Sequence, residues 1–314
     1  MADRGAGQVP LGMATRIAIT GANSAVGRAL LCLPELREQG VASVACVRSE
    51  RAERQLPPLP DGSRIARIDY DDAATLVAAL DGCDAVLHLP GVLIERPGSS
   101  YERANVETTS AIVAAAEAAR PKLVLVSAIG ADEHSANRYY RTKGEAERRV
   151  RDSGLAWTVL RAPLVLGPGT EGSTALLAHA RSGTARLLGG GRHLQQPLFV
   201  DDLARAALHA TRPGVADGRA LDLVGPESVP DRVLVERTAA ALGRSVRVRS
   251  APIGLLRLVA GLRHRITGSG FSPDAIDVIT ADTDLPTGAA AELDLKLTPI
   301  DAMIASLVDA PGAA

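Results

Sequence analysis

The run Ile17-Ala18-Ile19-Thr20 leads into Gly21-Ala22-Asn23-Ser24-Ala25-Val26-Gly27, and the helix-forming stretch Arg28-Ala29-Leu30-Leu31 follows at once. A β-branched strand, a tight glycine turn and a helix N-terminus in that order leave few folds open. Backbone N–H groups of the turn and the positive end of the helix converge on one point, and glycine keeps side chains away from it, as a pyrophosphate requires. Gly21 serves the turn and Gly27 lets helix and strand pack closely. Asn23, Ser24, Ala25 and Val26 supply the backbone between them, and the Ser24 hydroxyl is placed to cap the helix whether or not a nucleotide binds. The spacing is one residue longer than the common G-x-G-x-x-G fingerprint, so its position in a first strand-helix turn carries more weight than the glycines alone.

From Arg16 onward, short apolar runs alternate with longer helix-like stretches. Strands are predicted at Ile17–Thr20, Ser43–Val47, Arg64–Ile68, Ala85–Leu89, Leu123–Ser127 and Thr158–Arg161, each buried between helices. Helices are predicted at Ala25–Gln39, Ala73–Leu80, Tyr101–Ala119 and Asn137–Ser153. Right-handed crossovers then produce an α/β fold, a doubly wound parallel (Rossmann) sheet. A dinucleotide-binding domain is expected over residues 15–166. After about Gly167 the regularity fades into the glycine-rich stretch Gly183–Gly191 and a strand-helix unit around Leu198–Ala210, so residues 167–314 read as a smaller, partly interleaved substrate region. Residues 1–14 are glycine-rich, carry Asp3 and Arg4, and lack the apolar stretch of a secretory signal; they read as a disordered arm.

A net charge of -1 with 23% charged and 46% hydrophobic residues describes an ordinary enzyme-like chain and argues against a general binder of nucleic acid or anionic membrane. Cys32, Cys46 and Cys83 have neither metal-ligand spacing nor disulfide density, and read as buried apolar residues of a protein in a reducing, cytoplasmic compartment. The six histidines are scattered without ligand-like pairs, so no metal is expected. The apolar run Ile253–Leu262, broken by Arg257 and followed by Arg263, His264 and Arg265, is too short to span a bilayer. A packed C-terminal helix is the favoured reading, over a lid on an apolar substrate or a membrane-surface helix. Asp201-Asp202 read as capping groups of the helix Leu203–Ala210.

The end of the second strand bears on cofactor choice. Ala45-Cys46-Val47-Arg48 carries no acid for a ribose 2′-hydroxyl, and Arg48, backed by Arg51, offers a guanidinium suited to a 2′-phosphate. NADPH is therefore expected, with NAD open; Glu50 would reverse the preference if the strand ran further, and a solvated arginine is the plain alternative. Asp69, past the third strand, faces the adenine or merely a turn. Tyr139 and Lys143 share a helix face. A phenol with an ordinary pKa of about 10 needs a nearby positive charge to work near neutrality, and Lys143 is placed to supply it, or to donate to the nicotinamide ribose. Ser127, ending the preceding strand, could hold a carbonyl or hydroxyl. The competing account is a surface ion-pair helix, Lys143 with Glu147 and Arg141 with Glu145, and Tyr140 is a rival to Tyr139.

Together these motifs resemble the extended short-chain dehydrogenase/reductase superfamily, and within it the atypical branch similar to the NADPH-binding accessory subunit of respiratory complex I. The resemblance covers about Arg16 to Ala210. It rests on Thr20-Gly21 through Gly27, Leu87-His88-Leu89-Pro90-Gly91, Val126-Ser127-Ala128-Ile129-Gly130-Ala131, Tyr139 with Lys143, Arg161-Ala162-Pro163 leading to Gly167-Pro168-Gly169, and Pro197 to Asp202. It implies Ser127, Tyr139 and Lys143 as the catalytic set, with Tyr139 as acid-base. It also implies that Leu89, Pro90 and Gly91 line the cofactor, and Asn105 resembles an asparagine that many members carry, with a structural helix-start role equally open. Three residues depart from the pattern: Ser24 for the middle glycine, Ala162 for a proline, and Phe199 for a histidine. The implied function is hydride transfer to or from a carbonyl or secondary alcohol, or a related epimerase or dehydratase reaction. The alternative is a non-catalytic NADPH-binding protein that stabilises or regulates a partner complex. The expected partners are a small-molecule substrate, an apolar one included, and a homodimer mate or partner complex. Neither nucleic acid nor a membrane is expected.

Overall fold

The computed structural model describes residues 15–89, 91–267 and 270–309. The arm at 1–14 and Pro90 lie outside the described residues. Seven strands form one sheet: β1 (Arg16–Thr20), β2 (Ala42–Val47), β3 (Arg64–Arg67), β4 (Ala85–His88), β5 (Lys122–Ala128), β6 (Trp157–Ala162) and β7 (Arg219–Asp222). Their spatial order is β3-β2-β1-β4-β5-β6-β7 and every pairing is parallel. The strand order reverses between β1 and β4, which opens a crevice at their C-terminal ends, the place where such sheets bind ligands.

Alternation along the strands explains the three layers. Ile17, Ile19, Ala45, Val47, Ala85 and Leu87 face a core shared with the helices Ala25–Cys32 and Val200–Ala210, through Leu30, Leu31, Leu203 and Ala207. Ala18, Val44, Cys46, Val86 and Leu125 face the other core, filled by Leu76 and Leu80 of the helix Ala73–Leu80, Ile112 of Thr108–Ala116, and Ala146 and Val150 of Arg138–Arg151. A third, separate core gathers Leu166, Leu176, Leu187, Leu234, Ile304 and Leu307 in the C-terminal region.

Several local features differ from the sequence expectations. The helix predicted over Ala25–Gln39 breaks at Leu33, because Pro34 cannot continue it and instead starts a second helix, Pro34–Glu38. β3 is an exposed edge strand rather than a buried one. β7 comes from the C-terminal half, and its mostly exposed Arg219-Ala220-Leu221-Asp222 carries no apolar run to announce it. Cys32 is exposed, while Cys46 and Cys83 are buried; all three are free thiols. Asp201 and Asp202 lie inside the first helical turn, which begins at Val200, and buried Asp202 accepts from the Thr298 backbone N–H (2.7 Å) and hydroxyl (2.9 Å). It therefore ties the chain near 298 to the main core instead of capping its own helix. No helix among the described residues is long and apolar enough to cross a membrane.

Candidate functional site

A cleft of about 240 Å³ opens at the β1/β4 crevice. Of the residues singled out from the sequence, Gly21, Asn23, Ser24, Arg48, Asp69, Leu89 and Gly91 line it, whereas Ala25, Val26, Gly27, Ser127, Tyr139 and Lys143 do not. The loop is tight enough to demand its glycines. Gly21 has φ +73° and a Cβ on it would lie 3.0 Å from the Leu89 carbonyl oxygen; a Cβ on Gly27 would lie 2.6 Å from the carbonyl oxygens of Gly21 and Ala22. Ser24 caps the helix, its Oγ accepting from the Gly27 N–H at 3.1 Å. Arg28, not singled out from sequence, braces the loop by donating to the Asn23 carbonyl at 2.5 Å.

At the far end of the cleft β2 stops at Val47, and Ser49 caps the short helix Glu50–Glu53 that follows. Glu50 pairs with Arg54 at 2.9 Å and does not line the cleft, while exposed Arg48 does. Asp69 Oδ1 accepts from the Asp71 N–H at 3.0 Å, shaping the turn, and the residue still borders the cleft. Tyr70 and Arg103 complete this wall, Arg103 pairing with Asp71 at 2.5 Å. Neither is marked by local sequence, because both become relevant only when the turn after β3 meets the helical segment after β4.

That segment is not the plain helix expected over Tyr101–Ala119. Glu102–Glu107 is π-helical before α-helix resumes at Thr108, a widening that recurs at functional sites. It carries fully buried Asn105, whose Nδ2 donates to Thr142 Oγ1 at 3.0 Å; Thr142 Oγ1 in turn donates to the Tyr139 carbonyl. The Asn105 carbonyl accepts from Thr109 Oγ1 at 2.6 Å. Because that bond uses the Thr109 proton, His88 Nε2–H must be the donor at 3.2 Å to Thr109, and His88 Nδ1 accepts from Thr20 Oγ1 at 2.6 Å. Burial first, and then Lys143, push His88 down to about 3, so its imidazole is neutral. A buried chain of hydrogen bonds thus joins the tip of β1 to the helix Arg138–Arg151.

Asn137 caps that helix. Lys143 is buried, and Gly91 (φ +149°) makes room for it: a Cβ on Gly91 would lie 2.9 Å from Lys143 Nζ and 3.7 Å from Asn105 Oδ1. Lys143, Gly91 and Asn105 therefore meet. Burial lowers Lys143 to about 8, with Glu147 acting in the opposite direction. Glu147 is fully buried and held in a bidentate pair with Arg161 (2.9 and 2.7 Å), so it is not part of a surface ion-pair helix; Arg141 and Glu145 do approach to 4.0 Å. Tyr139 packs edge-on against Tyr101 and Tyr140, both at 5.6 Å. Its phenol is raised well above the ordinary range, by burial first and then by Tyr140 and Tyr101. The expectation that a neighbouring ammonium holds it down is not met in the free chain. Tyr140 is occupied elsewhere, its ring 3.0 Å from where a Cβ on Gly130 would sit.

Ser127 lies near the C-terminal end of β5, against which this helix packs. Its Oγ and Asn105 Oδ1 are buried without hydrogen-bond partners, a condition costing about 1–3 kcal/mol per group. The glycine cradle fits a dinucleotide, and Gly91 links the cleft wall to Asn105 and Lys143 behind it. No metal-ligating group of three or more side chains occurs among the described residues.

Residues 21–185, just over half the chain, match the family model described as NAD(P)H-binding. The chain is 26% identical over 299 residues to the NADH dehydrogenase [ubiquinone] 1 alpha subcomplex subunit 9, mitochondrial, of Arabidopsis thaliana, covering 90% of this chain and 73% of that one. It is 29% identical over 244 residues to a (4-alkanoyl-5-oxo-2,5-dihydrofuran-3-yl)methyl phosphate reductase of Streptomyces griseus, covering 77% and 79%. Its fold matches that of an NADPH-dependent quinone oxidoreductase from Escherichia coli complexed with NADPH, with a TM-score of 0.71 at 19% identity, over 93% of this chain and all of the other.

Proposed function

The chain belongs to the NAD(P)H-binding family and is extended short-chain dehydrogenase/reductase-like, and from that premise we propose that it is an NADPH-preferring reductase of a carbonyl group. The observation that carries the reading is the meeting of Gly91 in the cleft wall with the unpartnered Asn105 Oδ1 and with buried Lys143, whose helix also carries Tyr139 and packs against the strand of Ser127. When bound, NAD(P)H supplies a hydride to the carbonyl carbon. Ser127 would donate a hydrogen bond to the carbonyl oxygen, and Tyr139 would deliver the proton that completes the alcohol. Tyr139 is protonated at neutral pH and has a proton to give, and a cation brought to its hydroxyl by the closing of the site would oppose the rise that burial causes. Lys143, charged below about 8, would hold the nicotinamide ribose beside Gly91.

Preference for NADPH is supported by Arg48 in the cleft wall and by the engagement of Glu50 with Arg54. The region from residue 167 onward would form the substrate side. The relative named as a reductase favours the catalytic reading. A second reading, a cofactor-binding subunit without turnover, is favoured by the similarity to the complex I subunit over 90% of the chain.

Fluorescence titration with NADPH followed by a carbonyl-substrate panel tests the proposal. Tyr139→Phe should keep NADPH affinity within about twofold and lose roughly 100-fold or more in turnover, whereas Tyr140→Phe should stay near wild type. Wild-type turnover in Tyr139→Phe would remove the acid assignment. Tight NADPH binding with no turnover across the panel would favour the subunit reading.

A further inference from the structure

The helix Ile253–Thr267 has two unlike faces. Inward, Ala260 is buried, a Cβ on Gly261 would touch Pro273 Cγ at 3.6 Å, and His264 Nε2 lies 3.4 Å from buried Glu95. Outward, Leu255 is 58% exposed, Leu258 71%, Val259 54% and Leu262 63%. These four stand at i, i+3, i+4 and i+7, one continuous aliphatic stripe on a helix with a charged remainder. The sequence reading of a packed helix thus holds for only half of its circumference.

Arg257 of the helix pairs with Asp277 at 3.1 Å, but the chain around the stripe is basic. From Arg237 to Pro273 the chain contains seven arginines and no aspartate or glutamate, although the whole protein is at -1. Just before the helix, Arg247–Ala251 pairs in parallel with Thr184–Leu188, placing Arg249 in register with Arg186. Arg186, Arg247 and Arg249 are exposed, and none forms an ion pair among the described residues. Like charges in register repel, and an anionic surface would relieve that repulsion.

We propose that this helix is an interfacial anchor lying in the plane of an anionic lipid bilayer, its aliphatic stripe among the acyl chains and the neighbouring arginines against lipid phosphates. It does not span: the helix has 15 residues and is interrupted by charge. Pairing with a second copy is the weaker occupant, since a two-fold interface sets the same patch against itself and would bring arginine to arginine. The inner face of the anchor reaches the catalytic side through Glu95, which also binds Arg138, the residue before Tyr139, at 3.1 Å. The anchor itself does not depend on the chemistry proposed above.

Flotation of the full chain with phosphatidylcholine vesicles, with or without phosphatidylglycerol, tests the proposal without any substrate. The protein should float with the anionic vesicles only, and salt should release it. Leu258→Asp with Leu262→Asp should weaken this partition by about tenfold or more while NADPH affinity stays within twofold, which also reports that the variant is folded. Arg247→Glu with Arg249→Glu should weaken it too and flatten its salt dependence. Equal flotation with neutral vesicles, or wild-type flotation of the double-leucine variant, would overturn the anchor. So would a concentration-dependent dimer, measured by light scattering, that Leu258→Asp dissolves while no vesicles are bound.

Discussion

The cleft and the buried polar cluster behind it are built by opposite means. The cleft is walled by backbone and by exposed side chains: the turn at Gly21, the capped helix behind it, and Arg48, Asp69 and Arg103 at the rim. Behind Gly91 the groups are buried polar side chains: Asn105, held in a hydrogen-bond chain with Thr142, Thr109 and His88, and Lys143 beside it, with Ser127 buried on β5. The first resists substitution through sterics and local charge. The second resists it through networks, in which changing one member disturbs protonation and position elsewhere.

That contrast can be broken most severely at Gly27. Gly27→Val puts side-chain atoms against the Gly21 and Ala22 carbonyls, where even a Cβ lies at 2.6 Å. NADPH affinity should fall by more than about 100-fold, read by fluorescence titration alongside a thermal melt. Near-normal affinity would show that the loop is not the pyrophosphate cradle. Next comes the rim: Arg48→Ala should raise the NADPH dissociation constant by roughly tenfold and leave that for NADH nearly unchanged. Equal losses for both cofactors would assign Arg48 to the fold rather than to a 2′-phosphate.

The buried cluster should answer to pH instead. Lys143 is lowered to about 8, so it is an ammonium below that pH and neutral above it. Turnover at saturating substrate should fall severalfold from pH 7.5 to pH 9, and a flat profile would remove Lys143 from the reactive step. The smallest effect concerns stability. His88 titrates near 3 when folded and near 6.5 when unfolded. Between those values the unfolded chain holds the extra proton, so stability must fall as the pH drops below about 6.5. Denaturant unfolding at pH 7 and pH 5 should show a loss on the order of 1–2 kcal/mol in the wild type and a smaller one in His88→Gln. An identical loss in both would place the acid sensitivity elsewhere.

The same division separates what was legible in the sequence from what was not. Strands buried on both faces, such as Ile17–Thr20 and Ala85–His88, announce themselves as short apolar runs, and their predicted ends fall within about a residue of the structure. The glycine loop is local, so its glycines and its place in the first strand-helix turn are enough to find it. β7 was missed because an exposed edge strand has no such run, and the break before Pro34 was missed although proline is a strong local signal. The meeting of Gly91, Asn105 and Lys143 is a property of three dimensions, and no spacing encodes it. Whole-chain charge misled in a different way, since an average near neutrality hid an acid-free stretch of seven arginines beside an exposed aliphatic stripe.

The π-helical segment at Glu102–Glu107 acts as a length adjuster. A π turn holds one residue more than the α turn it replaces, and one residue corresponds to roughly 100° of rotation about the axis. Removing a single residue ahead of Asn105 would let the helix relax to ordinary winding and swing the amide away from Lys143 and Thr142. No point substitution would do the same. The chain's tolerance to deletion at this place, rather than to mutation, is therefore where the demand for Asn105 would be written.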